Sequence, residues 1–182
     1  MKTRTSFVSN SSSSSFVVIP QKQVKWLSSL SEADLAERSQ YVVDEMRKEI
    51  NAQIEESSEP DKKTWSGLFR NGERQFGWQT RIYLELESKW NWLVLQAYYG
   101  GEDGDIHQTN EFRVRIDGWL ESYGLATIDW NMVEKLDNDL DAYIDHQSID
   151  SQATFDEVDR IGIEEFLFNP NCFIQNGNDN GD

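Results

Sequence analysis

From Glu32 to Glu55 one series of residues keeps helical spacing: Leu35, Ser39, Val42, Val43, Met46, Ile50 and Ile54. Positions three or four apart share a face of an α-helix, so this stripe has to be laid against other apolar surface. Ser31-Glu32-Ala33-Asp34 offers a start resembling a capping box, in which a serine hydroxyl takes up an N–H that the first turn leaves unpaired. The opposite face is Glu, Lys, Arg and Gln, as solvent requires. A predicted helix of this length forms one wall of a domain, and 182 residues suffice for one domain with a sizeable core. Aromatic residues make up 12% of the chain, with seven Trp. Disordered chains are poor in rings, so the expectation is a folded domain with a core built on them.

Beyond a polar linker over Glu55–Lys63, the stretch Trp65–Trp78 is rich in Gly and rings and reads as a loop packed on the core. Gln79–Leu86 alternates, with Ile82, Leu84 and Leu86 on one face, the period of a half-buried strand. Trp90–Tyr99 is apolar on both faces and reads as a central strand, entered through a hairpin at Glu87-Ser88-Lys89. Thr109 is placed to cap a helix with Phe112, Ile116, Trp119, Leu120 and Tyr123 inward, stopped by Gly124. Asp129 caps another over Trp130–Leu136, and Thr154-Phe155-Asp156-Glu157 opens a helix to Phe168, broken by Asn169-Pro170. Short strands are expected at Thr5–Val8, Phe16–Ile19 and Cys172–Ile174. This order predicts an α+β class, a small antiparallel sheet with helices packed mainly on one face. Residues 1–174 are expected to form a single domain and 175–182 a polar C-terminal tail.

The net charge of −16 is unevenly placed. Residues 1–101 hold 13 Asp/Glu and 13 Lys/Arg, whereas residues 102–182 hold 20 Asp/Glu and 4 Lys/Arg, so the second half carries all of it. Phosphate contacts need Lys and Arg, which argues against direct nucleic-acid or anionic-membrane binding through that half. A lone Cys172 forms neither an internal disulfide nor a thiolate metal site. The N-terminus has no apolar core of a signal peptide, and no apolar run approaches the roughly 20 residues of a membrane span. A cytoplasmic setting is the expectation.

The N-terminal segment Phe7-Val8-Ser9-Asn10-Ser11-Ser12-Ser13-Ser14-Ser15-Phe16 puts a Ser/Asn run between apolar residues. Serine hydroxyls compete with the backbone for hydrogen bonds, so the plain expectation is a loop. The sharper ones are an anion-binding nest or a site of covalent modification. This string resembles the opening of a group of uncharacterised tailed-phage and bacterial proteins. Phe168-Asn169-Pro170-Asn171-Cys172-Phe173-Ile174, with the Asn/Gly/Asp run to Asn180, is similar to the closing segment of part of that group. The resemblance covers about 25 residues at the two ends and implies a phage or mobile-element origin and action in a bacterial cytoplasm. It carries over no catalytic residue. The two end segments are expected to meet, making a polar site of Ser9, Asn10, Ser11, Ser12, Ser13, Ser14 and Ser15 with Asn178, Asp179 and Asn180.

Asp137, Asp139, Asp141 and Asp145 imitate half of a calcium loop, with His146 beside them. Ala142 stands where the loop needs Gly and Ser148 where it needs Glu, so no cofactor is expected, with a divalent metal as the open option. On one helix, Asp137, Asp141 and Asp145 would repel one another, which leaves an irregular segment or a bound cation or basic partner. Asp145, His146 and Ser148 are the catalytic candidates, although neighbours in sequence rarely face each other as a catalytic pair does. Trp65, Trp78 and Trp119 are the candidate interface rings. These features predict a non-enzymatic accessory protein that binds a protein with a basic surface. Alternatives are a metal-dependent hydrolase or nuclease using Asp105, His107, Asp145 and His146, and a virion structural component.

Overall fold

The computed structural model describes residues 14–18, 25–57, 64–76, 81–99, 106–144, 158 and 160–177. The helix expected from the apolar stripe is α1 (Glu32–Glu56), with the Ser31 hydroxyl accepting the Asp34 N–H and Val42, Val43, Met46 and Ile50 buried. An isolated helix of this composition is marginal in water, so that buried stripe is what holds it.

Trp90–Tyr99 departs from expectation. Leu86–Tyr99 is a helix, α2, and Glu87–Lys89 is its first turn, not a hairpin. A run apolar on both faces suits a central strand or a buried helix equally. Length and composition favour the helix: 14 residues with Val94 the sole β-branched one, where strands average roughly 5–6. Every residue from Ser88 to Ala97 is buried, which makes α2 the axis of the domain. Around it pack α3 (Ile106–Ser122), α4 (Trp130–Asn138) and α5 (Ile163–Phe168).

Three strands make the antiparallel sheet, in the order β1 (Ser14–Val18), β5 (Phe173–Gly177), β3 (Arg81–Tyr83). A parallel pair, β2 (Gln75–Phe76) with β4 (Tyr143–Ile144), lies apart from it. The class is α+β, as expected, with helix predominating. β3 turns the opposite way from its expected face: Tyr83 is buried against Phe76, rings 5.2 Å apart, while Ile82 and Leu84 are 57% and 51% exposed. The larger ring takes the core position. β5 runs past Ile174 to Gly177, so the expected polar tail begins inside the central strand. The single helix expected from Thr154 to Phe168 is interrupted, because Gly162 has φ +88° and α5 starts after it. Thr5–Val8 and the capping box at 154–157 lie outside the described residues.

Polar residues of α2 fasten the loop at 64–73. Trp90 Nε1 donates to Gly67 O at 2.7 Å, Asn91 exchanges two bonds with the Phe69 backbone, and the Ser88 hydroxyl accepts the Glu73 N–H. Trp65 then stacks on Trp90, centroids 6.2 Å apart, and the tilted ring of Trp119 lies 5.7 Å from Trp90.

Candidate functional site

The acidic segment is shaped by the way α4 ends. Asp129 caps its start, accepting from Asn131 N at 3.2 Å. At the far end Asp141 N donates to Leu136 O and Leu140 N to Asp137 O, both at 2.9 Å, a Schellman turn with Leu140 at φ +59°. α3 ends with the same two bonds, but there Gly124 takes the positive φ, +64°. A Cβ is disfavoured in this conformation, and Leu140 is 68% exposed, so little packing offsets the strain. Leu140→Gly is expected to stabilise the fold by about 0.5–1 kcal/mol. Urea denaturation of the two proteins checks it, and an unchanged or lower midpoint would show that the turn is not strained.

The turn settles how the aspartates lie. The helix is over before Asp141, so Asp137 and Asp141 do not share a helical face. Asp137 faces inward, accepting the Tyr99 hydroxyl, and burial pushes its carboxyl above the usual range. Asp139 and Asp141 are exposed. Of the metal candidates Asp137, Asp139 and Asp141, the first is thus turned inward and the other two stay at the surface. Among the described residues no cluster of three or more His, Cys, Asp or Glu could hold a metal ion. Asp105, Asp145, His146 and Ser148 lie outside the described residues, and His107 is placed only by its backbone, in the first turn of α3.

Arg113, one of the four cations of residues 102–182, is spent inside the fold. It donates to Ala97 O and Tyr98 O at the C-terminal end of α2, at 3.1 and 2.9 Å, and lies over the rings of Tyr98 and Trp130. The exposed surface of α3, α4, α5 and their turns then carries Glu111, Glu121, Glu134, Asp139, Asp141 and Glu164 against Arg115, Lys135 and Arg160. Among the described residues of this half, the acidic side chains at the surface thus outnumber the basic ones.

A half-open cleft of about 380 Å³ lies between α3 and the segment leading into α5. Phe112, Trp119, Ile161 and Ile163 line it, with Arg115 and Glu164 among its charged residues. The Tyr123 hydroxyl donates to Glu164, and burial together with this bond raises the phenol's pKa, so it remains a donor. Among the described residues the buried Trp119 indole N–H has no hydrogen-bond partner. Its described lining is largely apolar, so the cleft suits an apolar side chain.

Behind the cleft is a polar cluster that the sequence did not announce. Lys89 is 1% exposed, and its Nζ donates to Phe166 O and Asn169 O at 3.0 and 3.1 Å, closing the C-terminal end of α5. Arg38 Nε donates to Phe168 O at 3.0 Å. The buried Glu165 carboxylate accepts the N–H groups of Trp26 and Leu27 and the Asn169 side-chain amide. Burial brings Lys89 down to about 8 and, more than Lys89 offsets, lifts the Cys172 thiol to about 11. The thiol stays protonated and inert at neutral pH. In sequence Lys89 looked like one residue of a turn, and only a cation inside an otherwise apolar helix hinted at more.

No family model, curated protein or solved structure matches the chain.

The described parts of the two end segments, 14–18 and 173–177, lie side by side. β1 pairs with β5 so that Ser14 faces Gly177, Ser15 faces Asn176 and Phe16 faces Gln175. The end of the serine run is thus strand, not loop. Ser9, Asn10, Ser11, Ser12 and Ser13, with Asn178, Asp179 and Asn180, lie outside the described residues. Among the candidate interface rings, Trp65 is a correction: it is 1% exposed, stacked on Trp90, and donates from Nε1 to Ala126 O. A ring stacked on a buried neighbour and bonded at its N–H belongs to the core. Trp119 is partly buried in the cleft wall, and Trp78 lies outside the described residues.

Proposed function

We propose that the protein is a small acidic accessory factor of tailed-phage type, acting in the bacterial cytoplasm by binding a protein with a basic surface. One observation carries this reading: the whole net charge of −16 belongs to residues 102–182. A surface dominated by one sign raises the local concentration of oppositely charged partners and speeds their encounter. It repels nucleic acid and anionic lipid, so a partner that normally meets such polyanions fits best. The resemblance of the two chain ends supplies the phage setting.

The test is affinity capture from bacterial lysate at about 0.1 M and about 1 M salt, where the screening length shrinks from about 10 Å to about 3 Å. A basic protein is expected at low salt and lost at high salt. With that partner in hand, reversing Asp139 and Asp141 to Lys together should slow association roughly tenfold at low salt. Capture of nothing, or of a partner indifferent to salt, would overturn the reading.

A further inference from the structure

We propose that the turn ending α4 is a docking knob for the basic partner, with Leu140 as its apolar anchor and Asp139 and Asp141 as its charged rim. The inference rests on the accessory-factor reading above and names the surface that makes the contact. Leu140 is the only non-glycine residue with a positive φ, +59°, among the described residues. The same pair of turn bonds after α3 is closed by Gly124, where no Cβ is strained. At Leu140 the Cβ is strained, and with 68% of the residue exposed its apolar surface gains little burial inside the chain. Neither the turn nor the core thus accounts for a leucine here. Backbone strain of this kind clusters at binding and switch positions.

The neighbours of Leu140 define what it meets. Asp139 and Asp141 flank it directly, and both are exposed. Lys135, one turn back on α4, is the nearest cation in sequence and leaves the two carboxylates in excess. Protein–protein contacts set an apolar centre within a polar rim. With carboxylates as the rim, the complement is an apolar pocket bordered by Lys or Arg on a protein. The turn is also fastened from both sides. Asp139 N donates to Lys135 O at 3.0 Å, Ala142 N to Leu136 O at 3.2 Å, and Gln75 Nε2 to Leu140 O at 3.1 Å. Ala142, the next residue after Asp141, is fully buried. An anchor already fixed in place loses little freedom on binding.

The test is capture of the basic protein from lysate at about 0.1 M salt, then biolayer interferometry of that protein on full-length variants. Leu140→Gly should speed dissociation about tenfold or more and leave association within about twofold of wild type, because an apolar anchor acts after encounter. Leu140→Met should dissociate at close to the wild-type rate, since it keeps an apolar side chain at the knob. Reversing Asp139 and Asp141 to Lys should instead slow association. The urea midpoint of Leu140→Gly should be at or above that of wild type, so its weaker binding does not come from unfolding. Val114→Ser, at a site 69% exposed on α3, is the control and should leave both rates unchanged. Equal dissociation from wild type and Leu140→Gly overturns the knob and leaves the accessory-factor reading standing. So does a loss at Val114→Ser as large as at Leu140→Gly. A Leu140→Gly midpoint below wild type overturns it too, because the leucine would then serve the fold. Capture of no basic protein overturns both readings.

Discussion

Lys89→Ala is expected to destabilise the protein by about 3 kcal/mol, a fall in melting temperature of about 6–12 °C. The lysine spans from α2 to the end of α5, and its removal leaves Phe166 O and Asn169 O buried without their donor. Unpaired buried acceptors cost more than the bond itself contributes, and the lost stem adds a cavity. Lys89→Met separates these causes. It keeps most of the volume and relieves the buried charge while still orphaning the carbonyls, so its cost should be smaller. Differential scanning calorimetry of the three proteins decides the matter. Equal stability of wild type and Lys89→Ala would mean that the carbonyls find other partners.

The same residue imposes a pH dependence of definite sign. Burial holds Lys89 at about 8 in the folded state against 10.5 in the open chain. Between those values the unfolded chain binds more protons, so stability rises with pH there. Cys172 acts in the opposite direction. Its thiol is lifted to about 11 from 9.0, so its contribution is lost as pH climbs above 9. The expected curve climbs from pH 8 to 9 by about 1 kcal/mol and then flattens as the two effects cancel. Cys172→Ala should extend the climb towards pH 10, and Lys89→Met should abolish it. Urea midpoints across this range provide the check.

Gly72→Ala is the other substitution expected to have a large effect, about 2–4 kcal/mol destabilising. A Cβ at Gly72 would lie 2.7 Å from the Glu87 carbonyl carbon, 2.8 Å from Glu87 O and 2.8 Å from Asn91 Nδ2. Two of these atoms are backbone of a buried helix and cannot move aside. The loop would have to lift off α2, stretching the bonds from Asn91 to Phe69 O and Glu73 O. Gly118 is the internal control. It sits mid-helix in α3 with nothing within 4 Å of its would-be Cβ, so Gly118→Ala should stabilise by up to about 1 kcal/mol. Chemical denaturation of both variants compares them, and similar midpoints would mean that the loop is not pressed against α2.

Features set by near neighbours were legible in the sequence. The stripe of α1, the Ser31 and Asp129 caps and the stop at Gly124 are local, because a cap needs only its own first turn and a stripe its own period. The α+β class followed from the order of such elements. The faces of β3 were not legible, since Ile82/Leu84 and Tyr83 alternate equally well and the choice depends on Phe76 being across from Tyr83. Leu140 in a glycine conformation had no signal, because the turn is imposed by its bonds to α4 rather than by residue preference.

The candidate site divides in the same way. Charge is additive along a chain, so the acidity of residues 102–182 could be counted from sequence alone. Which carboxylates face solvent is not additive. Asp137 turns to Tyr99 while Asp139 and Asp141 stay outside, and Arg113 is drawn in to cap α2. By itself the sequence determined the helix periodicity, the caps and breaks, the ring-rich core and the place of the net charge. Only the tertiary structure decided that Trp90–Tyr99 is a buried helix, that Lys89 is an internal cap and that Trp65 is core. The physical reason is that burial is mutual: an element's inner face is defined by what covers it, and for these residues the cover comes from distant parts of the chain.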